Sequence, residues 1–252
     1  MNISTEGLIL RVQKIGDSDR LCTILTQKMG IIRAFAKGAA RIKHKNFSAT
    51  MQFAWVSVEL FSGRDRYIID EAVCIEGHFS LREDAEKLAL AAYLCELSME
   101  LVPEGQPAPE MCRLMRAAFY YLSPNSLKTS RPQGIIKAAA EMRMIALAGL
   151  APDLLMCEGC GCYEADRMFF LPFSGRIRCG ECEVHEPAIE LVKGSLTALR
   201  HTIYADFDKT FSFSIPGEGV DALNMASESY LMRHIEREFK TLDIYKKLKF
   251  KV

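Results

Sequence analysis

The sequence lacks any apolar run near the roughly 18 residues that a membrane-spanning helix requires. Its start, MNISTEGLILRVQKIG, lacks the basic region and small-residue cleavage site of a secretory leader. These absences lead to the expectation of a cytoplasmic protein with no membrane partner. The chain also lacks net charge, with 32 Lys and Arg against 32 Asp and Glu. It has one tryptophan and five scattered histidines. No P-loop, G-x-G-x-x-G, H-E-x-x-H or G-x-S-x-G occurs in it. No acid, base and nucleophile set assembles from its motifs, so the expectation is a non-catalytic protein. Nine cysteines, an odd number, read as reduced thiols or metal ligands and not as a disulfide framework.

The zero net charge hides an uneven distribution. No acidic residue occurs between Asp19 and Glu59. That gap holds Arg20, Lys28, Arg33, Lys37, Arg41, Lys43 and Lys45. A long stretch of one sign draws polyanions. In IIRAFAK, strand alternation sets Arg33, Phe35 and Lys37 on one face. Cations beside a ring suit a single-stranded nucleic acid, whose phosphates meet the charges and whose bases stack on the ring. The bland alternative is that Phe35 packs under a loop. Arg11 and Lys14, on the first predicted strand, join the candidate DNA-binding set. Lys246, Lys247, Lys249 and Lys251 form a second basic cluster.

Residues 1–77 read as five short strands with turn signals between them, which predicts a small barrel or sandwich. Alternation in GLILRVQKI places Leu8, Leu10 and Val12 on one side. Asp17-Ser18-Asp19 reads as turn chemistry, not as a metal pair. A five-stranded barrel with basic loops is an OB-fold, a frequent oligonucleotide binder. From Ser80 the period becomes helical, with Ser80 and Glu83 as a capping box and Pro103 as the stop. Further helices are predicted at 108–122 and 132–148, from Ile189 to Ile203, and over 219–239. Cys22, Cys74, Cys95 and Cys112 fall inside these patterns as core residues. The expected class is α+β and multidomain: a barrel over 1–79, a helical domain over 80–152 and 186–252, and a cysteine-rich insert over 153–185.

The insert contains CEGCGCYEADRMFFLPFSGRIRCGEC, five of the nine cysteines in 26 residues. Cys157-x-x-Cys160 and Cys179-x-x-Cys182, 18 residues apart, match a four-thiolate zinc site. Each tight turn brings two sulfurs to one ion, and two turns complete a tetrahedron. The expectation is one structural Zn2+ per chain on Cys157, Cys160, Cys179 and Cys182. Cys162 is an alternative to Cys160, and His185 is an alternative fourth ligand. A redox dithiol is the competing chemistry, without the βαβ unit that usually carries it. Four thiolates leave no open position for catalysis. The insert carries both signs of charge, which argues against a zinc-ribbon transcription regulator as the alternative function.

EGLILRVQKIGDSDRLCTILTQKMG, AKGAARIKHK, GLAPDLLMCEGCG and FKTLDIYKKL occur in that order along the chain. In these pieces the sequence resembles the RecO family of bacterial recombination mediators. The resemblance implies an N-terminal OB-fold, a helical domain and a zinc-binding insert. It implies binding of single- and double-stranded DNA, annealing of complementary strands, and help in loading RecA on DNA coated by single-strand binding protein. RecR and the acidic tail of single-strand binding protein would be partners, RecA an indirect one, and the location the cytoplasm at the nucleoid. Such proteins are not enzymes in the usual sense. Some members lack the cysteine set. The segment after AKGAAR is usually arginine-rich, whereas here it reads Ile-Lys-His-Lys. For the tail, the helix at 132–148 offers Lys137 and Arg143 beside an apolar face, the cationic and greasy character an acidic, aromatic peptide needs.

Overall fold

The computed structural model describes residues 2–63, 66–123 and 131–249. The chain divides into two compact units, Met1–Leu127 with Phe239–Val252, and Lys128–Glu238. This differs from the expected partition, which grouped 80–152 with 186–252.

In the first unit, five strands close a barrel: β1 (Asn2–Ile15), β2 (Asp19–Thr26), β3 (Gly30–Ala36), β4 (Trp55–Ser62) and β5 (Tyr67–Glu76). Their order is β1-β2-β3-β5-β4, and β1 also pairs with β4. The long β1 makes closure possible, because its first half pairs with β4 and its second with β2. Where it turns between them, Gly7 is required: a Cβ there would lie 2.3 Å from the Leu25 carbonyl oxygen. A bulge between Ile9 and Arg11 then breaks the simple alternation. Ile9 joins Ile24, Ile32, Ala34, Val56, Val58, Leu60 and Ile69 in the barrel core, with Val12 packed against it. Leu8 and Leu10 are also fully buried, but outside that core cluster. The predicted single apolar side of β1 is therefore corrected: over Leu8, Ile9 and Leu10 the strand is buried on both faces.

Three helices belong to this unit: α1 (Ala85–Leu101), α2 (Pro109–Leu122) and α6 (Lys240–Lys249). The predicted capping box is replaced by a 3₁₀ turn at Phe79–Glu83. Asp84 caps α1 instead, accepting the N–H groups of Glu86 at 3.0 Å and Lys87 at 3.1 Å. Tyr93 of α1 meets Phe239, just before α6, edge-on at 5.7 Å. Trp55, 1% exposed, donates to Glu6 and lies under Arg116 of α2.

In the second unit, α3 (Gln133–Leu147) is buried almost all round beside α4 (Lys193–Tyr204) and α5 (Gly217–Ile235). A three-stranded sheet, ordered β7-β6-β8, carries the insert: β6 (Met168–Leu171), β7 (Arg176–Cys179) and β8 (Ile189–Leu191). Ile189 thus begins a strand and not the predicted helix, since its pairing with Phe170 satisfies the backbone there. The predicted helix over 219–239 ends early: α5 stops at Ile235, where Glu236 is left-handed at φ 51°, and a separate α6 begins at Lys240.

Candidate nucleic-acid interface and metal centre

The segment between β3 and β4, residues 37–54, carries Lys37, Arg41, Lys43 and Lys45 and no acidic residue. The barrel pins it at several points. Asp19 Oδ1 accepts the Gly38 N–H at 2.7 Å, and the Ser18 carbonyl accepts the Ala40 N–H at 2.8 Å. Arg20 donates to the Phe47 carbonyl and to Thr50 Oγ1, both at 2.8 Å, and lies 4.6 Å from the Phe47 ring centroid. Asn46 bridges to the backbone of Asp70 and Ala72. With its backbone tied down, the segment exposes Lys37, Arg41, Lys43 and Lys45. The Gly38 N–H is the main cause that holds the Asp19 carboxyl below its usual range, and Lys37 and Arg41 add to it.

The structure sorts the predicted DNA-binding residues. Arg11, Lys14, Arg33 and Lys37 are exposed on the barrel, and Phe35 is half-buried on its outer surface. Its neighbours Ala34 and Ala36 face the core instead. Arg20 is a staple for the loop more than a free cation. Lys28 lies in the β2–β3 turn, at the far end of the strands from residue 37, and donates to the Ser4 carbonyl at 2.7 Å. Arg33 makes one loose ion pair, 3.9 Å from Glu104, with both side chains about 70% exposed (70% and 71%).

In the second unit, the chain from Met156 folds into a tight thiol-bearing turn. The Gly161 N–H bonds to the Cys157 carbonyl at 2.9 Å, and the Cys157 N–H to the Cys162 carbonyl at 2.8 Å. Gly161 takes φ +75°, as the turn demands. Arg200 of α4 holds the approach to this turn, donating to the Leu154, Leu155 and Tyr163 carbonyls with its guanidinium 3.9 Å from the Tyr163 ring centroid. The β6–β7 hairpin delivers Cys179 opposite Met168. The sulfur atoms of Cys157, Cys160, Cys162 and Cys179 lie within 4.8 Å of one another. Cys179 Sγ is 3.7 Å from that of Cys157 and 3.6 Å from that of Cys160. The sequence offers Cys162 as an alternative to Cys160, and the structure brings both into this group.

Cys182, a predicted ligand, stands outside this group of four and beside it. Its sulfur packs over Gly159, 2.7 Å from where a Cβ would stand, and it interacts with the Cys179, Cys160 and Cys157 side chains. Cys162 lies within 4.8 Å of three thiols, Cys157, Cys160 and Cys179. Backbone N–H groups aim at the first pair. Burial raises the Cys157 thiol, but N–H donors of Cys160, Cys179 and Gly159 outweigh it and bring the pKa to about 6. The Cys162 N–H likewise lowers Cys160. Contact with the other sulfurs pushes Cys162 and Cys182 to about 12. Clustered thiols cannot all ionise without a cation among them, so this donor set fits a thiophilic metal ion. The remaining cysteines are different. Burial pushes Cys22 and Cys112 up to about 12 and raises Cys95 further, which leaves them inert core residues.

Lys137 and Arg143 require a correction. Lys137 is 2% exposed, with Nζ 2.8 Å from Glu141 and 3.0 Å from Glu228. Glu141 also accepts from Ser227 Oγ at 2.6 Å. Arg143, 9% exposed, donates to the Ile203 and Ala205 carbonyls and lies over Phe207. Helical spacing placed these cations beside an apolar face correctly, but that face is the interior. Neither presents a charge to an incoming peptide.

A closed five-stranded barrel of OB type, followed by helices and a clustered-thiol centre, defines the class. Residues 1–78 match the family described as Recombination protein O N terminal, and residues 82–243 match Recombination protein O C terminal. The chain belongs to the RecO family of DNA repair proteins. It is 29% identical to the DNA repair protein RecO of Acetivibrio thermocellus, over 98% of this chain and 97% of that one. It is 28% identical to those of Alkaliphilus metalliredigens, over 98% and 100%, and Symbiobacterium thermophilum, over 94% and 94%. The resemblance read from the sequence motifs is borne out.

Proposed function

We propose that this chain acts without catalysis, binding DNA through its barrel, annealing complementary strands, and helping RecA to load on DNA coated by single-strand binding protein. The observation that carries this reading is the pinned basic segment: Lys37, Arg41, Lys43 and Lys45 stand exposed on a backbone held by Asp19, Arg20 and Asn46. A fixed array of cations gives sequence-independent affinity for phosphates. Two strands bound to such surfaces lose the repulsion that slows their pairing.

The cysteine cluster serves a structural role in this reading. Zn2+ is the assigned ion, held by Cys157, Cys160, Cys179 and Cys182. Cys182 is kept as the fourth ligand on the matched Cys-x-x-Cys spacing, although the sulfur that lies within 4.8 Å of Cys157, Cys160 and Cys179 is that of Cys162. The ion folds an insert whose own core is small, chiefly Phe170 and Ile177. A regulator that binds nucleic acid through this insert is disfavoured. Arg176 and Arg178 pair with Glu158, and Arg167 pairs with Glu190. RecR and the tail of single-strand binding protein remain the expected partners, with the tail docking at residues other than Lys137 and Arg143. The site of action is the cytoplasm, at the nucleoid. Among the described residues, no helix is long and apolar enough to cross a membrane.

The test is annealing of complementary strands coated with single-strand binding protein, with and without the full chain. Acceleration is expected. An unchanged rate would overturn the reading.

A further inference from the structure

Strand pairing arranges part of the barrel's outer surface in two adjacent rows. Leu21, Phe35, Ile68 and Phe61 are successive partners across β2, β3, β5 and β4. Their chain neighbours Cys22, Ala34, Ile69 and Leu60 belong to the core, so alternation turns these four outward. Phe61 is 49% exposed and Ile68 37%, with Leu21 and Phe35 half-buried. Two residues along the strands, Arg11, Thr23 and Arg33 form the next row. Carried one residue past the Ala34–Tyr67 pair, the parallel register of β3 and β5 sets Arg66, just before β5, at the end of that row. Arg33 and Arg66 both line a cleft of about 660 Å³, where β3 and β5 pair over two residues only, and Tyr67 and Ser62 share its wall. Arg11, Arg33 and Arg66 are all exposed.

One row is apolar with a ring near each end, and the other is cationic. Along the strands they stand about 6–7 Å apart, and Phe35 and Phe61 are separated by two strand spacings, about 10 Å. That is the layout of an unpaired strand, with sugar-phosphate along one side and bases along the other. A duplex hides its base faces in the stack and presents only phosphate to such a surface. Exposed apolar side chains in a line are unfavourable in water unless a partner covers them. The arginines flanking this line select a polyanion as that partner. The Arg33–Glu104 pair is exposed and long, so it opens at little cost.

We infer that the barrel's outer face distinguishes unpaired from paired DNA. Phe35 and Phe61, bridged by Ile68, form a stacking platform for bases of one strand, and Arg11, Arg33 and Arg66 hold its backbone. This rests on the DNA-binding reading above and adds a strand preference and the residues that set it.

The test is fluorescence anisotropy of the full chain with a labelled oligothymidylate and with a duplex of equal length, for wild type, Phe61→Ala, Phe61→Trp and Arg66→Ala. Phe61→Ala is expected to weaken single-strand binding about five- to hundredfold with the salt slope kept. Its duplex affinity should change less than about twofold, since phosphate contacts carry duplex binding. Phe61→Trp should retain single-strand affinity, and Arg66→Ala should lower the salt slope. Thermal melting checks that Phe61→Ala, half-exposed as it is, remains folded. If wild type binds but Phe61→Ala binds the single strand equally well, the platform is refuted. Equal losses on single strand and duplex would also refute it, because the row would then not sense pairing. If wild type binds neither DNA, the underlying DNA-binding reading falls, and this inference with it.

Discussion

Asp19 Oδ1 accepts the backbone N–H of Gly38 at 2.7 Å, tying the β1–β2 turn to the root of the basic segment. Gly38 takes φ +72°, and a Cβ there would meet the His44 ring at 3.1 Å. One carboxylate at the edge of the acid-free stretch therefore orders the residues that carry that stretch's charge. Asp19→Ala should free the segment and weaken DNA binding even though it removes a negative charge. Hydrogen exchange at Gly38 and Ala40 checks the cause, with faster exchange expected. The pH dependence has a definite sign. The folded pKa of Asp19 is lowered, so its contribution is present above the usual carboxylate range and is lost as pH falls through the lowered value.

Lys137→Ala should destabilise the second unit by about 3–5 kcal/mol, because it leaves Glu141 buried without its cation. Urea unfolding reads this directly. The attraction of Glu141 and Glu228 outweighs burial and raises the Lys137 pKa. Its contribution is thus complete below the usual lysine range and is lost only as pH rises through the raised value. Unchanged stability would mean that the triad does not bear on the fold.

The metal assignment is checked by elemental analysis of purified protein, with one zinc per chain expected. Cys157→Ala, Cys160→Ala, Cys179→Ala and Cys182→Ala should each lower zinc content, and chelation should unfold the insert. Cys162→Ala should keep the ion. Full zinc in Cys182→Ala with loss in Cys162→Ala would exchange the fourth ligand.

The five strands were legible because their turns are marked and their apolar positions alternate. The β1 bulge was not, since a strand buried on both faces keeps no period that reveals one extra residue. Cysteine spacing foretold a cluster and offered Cys162 only in place of Cys160, whereas the turn at Gly161 brings both sulfurs into it. Lys137 and Arg143 show the reverse error. A cation beside an apolar helix face looks like a surface groove until Glu141, Glu228 and Ser227 are seen around it. Phe61, Ile68 and Arg66 carried no signal of their own, because only strand pairing aligns them with Phe35 and Arg33.

Phe35→Ala separates stacking from charge and from packing. It should weaken single-strand binding by about 1–3 kcal/mol with the salt slope kept. Its melting temperature should change little, since the ring is half-buried outside the core. A large thermal loss would assign the ring to packing instead.

The central claim is that the pinned segment after β3 holds the DNA backbone. Its most direct test is the salt dependence of single-strand affinity for the full chain and for Arg41→Ala/Lys43→Ala/Lys45→Ala. Each lost phosphate contact should reduce the log–log slope by about 0.7, so the triple variant should fall by about 2. A triple variant with wild-type affinity and slope would contradict the account.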